Sequence, residues 1–362
     1  MPGNILAVVG GQYGSEGKGV IVHSIANEYG IHVRTGGPNA GHSFKHAGRT
    51  WKQQVIPCGW TNPNALLVIG RGALVDVAQL KKELDAIREV DPTIDDRLII
   101  DEKAGTISPQ HHAEEGGVHG EIHRRIGSTG EGVGAARIAR IQRDSSKFQP
   151  IGSSVSTFGP WVGAGDGWLQ RLLVRNTPGL LYRKREGGVP ILLEGTQGSG
   201  LSLIHGPWPY VTSNDTNAAQ LAADAGIAPR FVNRTLLVCR TFPIRVAGNS
   251  GPLEGETTWD ELSRLTGRPV LERTTVTNKI RRVGNWDLQK VLDAIVLNAP
   301  TSLAITFMDY LFPQTEGVED HWKLTKSVED WVDVIEAQTG VEVSILGTGG
   351  PTWSTIRRRA LL

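Results

Sequence analysis

Between an apolar run, Ile5 to Val9, and a helix-like segment from Val20 stands Gly10-Gly11-Gln12-Tyr13-Gly14-Ser15-Glu16-Gly17-Lys18-Gly19. A buried parallel strand, a glycine-rich turn carrying a lysine, and a helix form the architecture of a phosphate cradle. Glycines let backbone N–H groups approach phosphate oxygens, the helix N-terminus adds positive potential, and the lysine neutralises charge. The spacing is not that of a Walker A loop, because Lys18 is followed by Gly19 and not by Ser or Thr. A tight strand-to-helix turn without a ligand has the same local sequence, so the rest of the chain must decide.

Further apolar, β-rich runs occur at Ala65–Ile69, Arg97–Ile100, Pro190–Leu193, Leu236–Val238, Leu303–Thr306 and Val341–Ile345. Helical periodicity lies between them. Leu80, Leu84 and Ile87 share a face after Asp76, Val291, Ile295 and Val296 do so before Leu303, and a helix through Trp331 and Ile335 ends near Gly340. Alternation of strands and helices predicts an α/β fold: a mostly parallel, doubly wound sheet flanked by helices, with a P-loop-like phosphate loop and loop-rich excursions. Ligands in such sheets bind beyond the carboxyl ends of strands, which singles out the loops after Val9 and Leu193. Segment 103–165 is polar and reads as a loop-rich cap or insertion. No linker breaks the chain, so residues 1–362 read as one domain.

Composition narrows the class. Lys and Arg number 38 against 37 Asp and Glu, a net charge of +1. That balance argues against a nucleic-acid surface and an acidic tail. Glycine is abundant at 45 of 362 residues, concentrated in turns, which suits a loop-rich enzyme. The two cysteines, Cys58 and Cys239, are far apart, so a reducing cytoplasm fits better than a disulfide framework. No apolar run approaches the roughly 18 residues that span a membrane, and the first run lacks a basic leader.

Four more motifs carry chemistry. Gly36-Gly37-Pro38-Asn39-Ala40-Gly41-His42 sets a histidine, a potential general acid, after a glycine turn. Gly127-Ser128-Thr129-Gly130-Glu131-Gly132-Val133-Gly134 offers hydroxyl and amide donors for a phosphate. Glu194-Gly195-Thr196-Gln197-Gly198, followed by Trp208 to Ser213, delivers Gln197, whose amide can read a donor and an acceptor on a base edge, and then Thr212. Arg273-Thr274-Thr275-Val276-Thr277-Asn278-Lys279-Ile280-Arg281-Arg282 mixes threonines with arginines, a composition suited to a carboxylate. No CxxC or HExxH spacing marks a metal cluster, but Mg²⁺ held by phosphates needs few protein ligands.

The five motifs in this order resemble the adenylosuccinate synthetase family over nearly the whole chain. Its G-x-x-W-G-D-E-G-K-G-K loop is similar to Gly11 to Gly19, its N-A-G-H to Asn39–His42, and its E-G-A-Q-G to Glu194–Gly198. Its Y-P-Y-V-T-S is similar to Trp208–Ser213, and its late T-K-x-D to Thr306-Phe307-Met308-Asp309. The family joins L-aspartate to the 6-position of a purine monophosphate after a nucleoside triphosphate phosphorylates the 6-oxygen. The resemblance implies His42 as general acid and Lys18 with Gly17 on the transferred phosphoryl. Ser15 and Gly41 would stand at Mg²⁺, and Gln197 at the base. Gly14, Glu16, Gly19, Gly41, His42, Thr306, Asp309, Gly347, Thr348 and Gly349 would line the triphosphate. Ser15, Asn39, Ser128, Thr129, Thr212 and Val246 would hold the monophosphate. Arg143, or Arg140, would reach in from a second subunit of a homodimer. Thr274, Thr275, Val276, Thr277, Lys279 and Arg281 would hold aspartate.

The departures are informative. The family's catalytic Asp, which removes the ring proton of inosine monophosphate and touches Mg²⁺, is Ser15 here. A shorter hydroxyl leaves room for a 2-amino group, so guanine would fit where hypoxanthine normally does. This is the pattern of the phage-type branch that adds aspartate to dGMP on the way to 2-aminoadenine DNA, which would put a phage-encoded copy in the host cytoplasm. Glu16, an Mg²⁺-bound water, or Ser15 relaying to another group remain open as proton acceptors. Phe307 replaces the lysine that packs over guanine, so ATP or dATP is expected as donor ahead of GTP. Lys279 stands in an arginine position. Two competing readings are an ordinary enzyme using IMP and GTP, and a nucleotide-binding regulator that lost catalysis with the Asp.

Overall fold

A computed structural model describes residues 1–153, 167–274, 278–350 and 353–361. Ten strands form the central sheet: β1 (Ile5–Gly10), β2 (Ile31–Arg34), β3 (Leu66–Ile69), β4 (Leu98–Asp101), β5 (Leu173–Val174), β6 (Ile191–Glu194), β7 (Arg234–Arg240), β8 (Ser302–Thr306), β9 (Val343–Gly349) and β10 (Ser354–Arg357). Their order is β10-β9-β8-β7-β1-β6-β2-β3-β4-β5, and every pair is parallel except β9 with β10. The mostly parallel, doubly wound α/β fold is therefore present. β1 lies at its centre, buried at all six residues, as its unbroken apolar run requires.

Alternate residues of β1 face two separate cores. Leu6 and Val8 join Ile21 and Val22 of helix α1 (Lys18–Ser24) and Leu80, Leu84 and Ile87 of α2 (Val77–Arg88). Ile5, Ala7 and Val9 join Leu221 of α3 (Ala218–Ala225), Val291 of α4 (Leu288–Asn298) and Ile335 of α5 (Lys326–Thr339). Each aliphatic side chain so buried contributes roughly 1.5–3 kcal/mol. Asp76 caps α2 by accepting from the Gln79 amide at 3.0 Å, and Gly340, at φ 68°, ends α5.

Three sequence expectations change. Val296 is 86% exposed; one residue on from Ile295, it lies about 100° round the helix, while Ala294 and Asn298 take the buried face. Segment 103–165 is more helical than its polarity suggested, with helices at Pro109–Glu115, Glu121–Ile126 and Val133–Gln142 before the described part ends at residue 153. β2 was absent from the apolar runs because it alternates Ile31-His32-Val33-Arg34, yet all four residues are buried.

Burial also sets an acid limit. Burial lowers the pKa of His23, His32 and His42 to about 4 each, with His46 adding to the effect on His23 and Arg34 to that on His42. All three are neutral when folded and take up a proton more readily when unfolded. Their contribution is therefore present above about pH 6.5 and lost as pH falls toward 4. The melting temperature should fall steadily across that interval; a flat profile between pH 6.5 and 4 would contradict it.

Candidate active site

Parallel strands deliver their following loops to one edge of the sheet. The loop after β1 is centred there, with those after β6 and β2 on one side and those after β7, β8 and β9 on the other. A cavity of about 770 Å³ opens at this edge. Gly14, Ser15 and Lys18 line it from the first loop, and Asn39, Gly41 and His42 from the loop after β2. Ser128, Thr129, Gln197, Thr212 and Val246 form further wall, and Thr274, Lys279 and Arg281 complete it. Residues as far apart in the chain as Gly14 and Arg281 thus share one cavity.

The first loop is organised by its own carboxylate. Glu16 is fully buried; Oε1 accepts from the backbone amides of Gln12 (3.1 Å) and Gly14 (2.8 Å), and Oε2 pairs with Lys18 Nζ at 2.5 Å. Glu16 therefore turns inward and does not line the cavity, where the sequence had suggested contact with triphosphate and a possible role as base. Lys18 Nζ also donates to the Gln197 carbonyl oxygen, joining the first and fourth motifs. Gly14 and Gly17 each have φ 82°, which a glycine adopts freely. Ser15, at φ 58°, holds the same left-handed region at a cost of order 1 kcal/mol and is exposed on the cavity side. Gly17 and Gly19 do not line the cavity. Gly17 leads into α1, and a Cβ on Gly19 would lie 2.9 Å from the Ser43 carbonyl oxygen and 3.0 Å from His42 Cβ. Glycine there lets the His42 strand close on the helix.

His42 belongs to a buried cluster that the sequence reading did not assemble. Arg34 and Glu194 end adjacent parallel strands in direct register. Their side chains form an ion pair, and Glu194 Oε1 lies 2.6 Å from His42 Nδ1. Arg34 Nη1 lies 2.9 Å from the same nitrogen, but the shorter contact to a carboxylate favours Nδ1–H donated to Glu194, which leaves Nε2 for the cavity. Arg34 Nη2 donates to the Ala40 carbonyl oxygen at 2.6 Å, and the Cys58 amide donates to Glu194 Oε2 at 2.7 Å. Burial pushes the Glu194 carboxyl up, but Arg34 and His42 outweigh it and hold it at about 2. His42 is correspondingly neutral near pH 7.

In the third motif, Ser128 and Thr129 line the cavity, but the helix behind them is already capped. Glu115 accepts from the amides of Gly132 (2.9 Å), Gly134 (2.5 Å) and Ala135 (3.1 Å) at the start of Val133–Gln142. The helix N-terminus is thus satisfied by protein and is not the free anion site that the glycines suggested. Arg143 sits past the other end of this helix, exposed and outside the cavity; Arg140 stacks over Phe148.

The late residues gather on the β8–β9 side and do not line the cavity. The Thr306 hydroxyl donates to the Glu16 carbonyl oxygen at 2.7 Å, tying β8 to the first loop. Asp309 accepts from Arg268 Nη2 at 2.6 Å, and burial chiefly pushes its pKa up to about 6. Phe307 carries the Arg240 guanidinium 3.8 Å from its ring centre, so one face of the ring is already covered. Thr348 is buried and its hydroxyl donates to the carbonyl oxygens of Val318 (2.6 Å) and Ser354 (3.2 Å). Gly347 packs on Thr306 and Gly349 on Asp309. In the fifth motif the Thr274 hydroxyl accepts from the Lys279 amide at 3.0 Å; Thr275, Val276 and Thr277 lie outside the described residues.

Ser15 and Gly41, expected at Mg²⁺, both border the cavity and offer hard oxygen donors, a hydroxyl and a carbonyl. That donor set fits a cation whose other ligands are nucleotide phosphates and water. The three-residue group His42, Cys58 and Glu194 does not fit it: the carboxylate is neutralised by Arg34, and a thiol suits softer metals.

Fold and cavity together define a nucleotide-handling α/β enzyme. A family model described as adenylosuccinate synthetase matches residues 7–157 and 166–316. The adenylosuccinate synthetases of Methanocaldococcus jannaschii and Pyrococcus horikoshii are each 35% identical over 355 residues, with 97% of this chain and 96% and 98% of theirs covered. Among solved structures, the succinoaminodeoxyadenylate synthetase of cyanophage S-2L, bound to dGMP and to dATP as an energy donor, superposes with a TM-score of 0.81 at 27% identity, covering 100% of this chain and 97% of that one. The fully ligated adenylosuccinate synthetase of Plasmodium falciparum shares the fold at a TM-score of 0.82 and 19% identity, covering 99% and 100%. The chain belongs to the adenylosuccinate synthetase family and is a carbon–nitrogen ligase. The family uses Mg²⁺, a nucleoside triphosphate, a purine nucleotide and aspartate.

Replacing Glu194 by Gln keeps the size but removes the charge that balances Arg34 and fixes the His42 proton. Turnover should fall roughly 100-fold, and the melting temperature should drop because a buried guanidinium loses its partner. Turnover within about threefold of the parent would remove Glu194 from the His42 assembly.

Proposed function

We propose that this ligase joins L-aspartate to the 6-position of dGMP, with ATP or dATP as phosphoryl donor, giving 2-aminodeoxyadenylosuccinate, the nucleoside diphosphate and phosphate. The observation that carries this reading is the hydroxyl at Ser15 together with the state of the nearby carboxylates. Glu16 is fully engaged inside its loop. Glu83 and Glu115, which border the cavity, accept from the amides of Gln54, Val55 and Ile56 and of Gly132, Gly134 and Ala135 respectively. Among the described residues none of these three is free to replace the family's Asp. The short Ser15 side chain is therefore not replaced by a free carboxylate from any of the three, which suits a purine with a 2-amino group.

In this reading the negative charge of the bound phosphates favours a second proton on His42; oriented by Glu194 and protonated at Nε2, it donates to the oxygen at the 6-position, and Lys18 turns a third N–H toward the transferred phosphoryl. Gln197 meets the base; Asn39, Ser128, Thr129 and Thr212 meet the monophosphate, with Val246 beside the sugar. The 274–281 loop, with Thr274, Lys279 and Arg281, receives aspartate. Ser15 and Gly41 would hold Mg²⁺, which would supply charge neutralisation on the phosphates. Arg143, exposed outside its own cavity, serves that of a second subunit.

The S-2L enzyme's bound dGMP and dATP support this choice. Relatives named adenylosuccinate synthetase, 33–35% identical, favour the ordinary reaction of IMP with GTP as the second reading. Phosphate release with aspartate, Mg²⁺ and ATP, comparing dGMP with IMP, separates them. Turnover with dGMP alone is expected; turnover with IMP alone would return the chain to the ordinary branch. Ser15→Asp should abolish activity on dGMP through crowding at the 2-amino group, and retained activity would defeat that steric argument. Arg143→Leu should raise the KM for the monophosphate about tenfold or more, the worth of a charged hydrogen bond, without altering the melting temperature. An unchanged KM would remove Arg143 from the site.

A further inference from the structure

Resting on the reading that the triphosphate sets its base against Asp309, we propose that Arg268 determines the purine preference by holding one of the two Asp309 carboxylate oxygens. Arg268 is thereby a specificity residue that removes the advantage of guanine.

The geometry is direct. Asp309 is 3% exposed, and Oδ2 accepts from Arg268 Nη2 at 2.6 Å. Arg268 Nε lies 3.3 Å from Glu316 Oε2, so the guanidinium is held from two sides. Among the described residues, Asp309 Oδ1 has no hydrogen-bond partner. It points at Gly349, at the end of β9, where a Cβ would stand 2.3 Å away. Only a glycine at 349 leaves that buried oxygen without a side chain pressed against it.

A carboxylate with both oxygens free matches guanine, which presents N1–H and a 2-amino N–H side by side. With Oδ2 engaged, only one of those donors finds an acceptor, and the other is buried unpaired, a loss that discriminates strongly. Adenine has a single donor group on that edge, its 6-amino group, and one oxygen satisfies it. A second feature acts in the same direction: Phe307 stands where a lysine would pack on guanine, and its ring is covered on one face by Arg240 at 3.8 Å.

Equilibrium titration of the full chain with Mg·ATP and Mg·GTP, without monophosphate or aspartate, tests this apart from turnover. The parent should bind ATP more tightly. Arg268→Met frees Oδ2 and should shift the ATP-to-GTP affinity ratio toward GTP by about tenfold, the worth of one hydrogen bond to a charged group. Arg268→Ala, read beside its circular dichroism spectrum, gives the same answer should the longer side chain misfold. An unchanged ratio, or a shift toward ATP, in a folded variant overturns the role of Arg268 alone. No binding of either triphosphate overturns the base site with it. Failure of dGMP turnover with the ratio still shifting overturns only the proposed monophosphate.

Discussion

The buried carboxylate of Glu16 is the interaction on which the active edge depends. It accepts from two amides of its own loop and pairs with Lys18, and Lys18 in turn reaches the Gln197 carbonyl oxygen beyond β6. Its backbone oxygen receives the Thr306 hydroxyl from β8. Gln12, two residues past β1, exchanges hydrogen bonds with the backbone of Arg240 at the end of β7. Four strands are thereby fixed to one glycine loop. Removing either partner of a buried pair like Glu16–Lys18 generally costs about 3–5 kcal/mol, because the remaining charge is stranded.

A second buried carboxylate, Glu194, plays the same part for the chemistry that Glu16 plays for the loop. It stands in register with Arg34, and the two buried charges neutralise each other. His42 is held against the pair, so its orientation follows from strand register and not from the flexible glycine turn that precedes it. Glu115 adds a third instance by capping the helix that follows the Ser128–Thr129 turn. Glu16 and Glu115 take up backbone donors that a phosphate could otherwise claim, and leave side chains, Lys18, Ser128 and Thr129, to face the cavity.

The side proposed for the triphosphate is built differently. Phe307 and Asp309 lie at the ends of β8 and β9 beside Arg240 and Arg268. A surface assembled from arginine–carboxylate pairs selects by which acceptors remain free, because its shape alone excludes little.

Much of the fold was legible in the sequence. Continuous apolar runs such as Ile5–Val9 mark strands covered on both faces, and the period of Leu80, Leu84 and Ile87 marks a helix with one buried side. The glycine motifs located the loops at the carboxyl edge, since only particular turns tolerate positive φ and close backbone approach. The sequence also exposed the serine in place of an aspartate, a chemical difference needing no coordinates. What it could not show was the direction of polar side chains. Glu16 and Thr348 look like ligands in a linear motif, yet turn inward to satisfy backbone groups; Arg34 hides in an alternating strand and reaches His42 only through register with Glu194. The pairing of Arg268 with Asp309, 41 residues apart, is likewise invisible to local pattern. Periodicity and backbone sterics act between near neighbours and so are written locally, whereas the partner of a buried charge is chosen by the packing of distant strands.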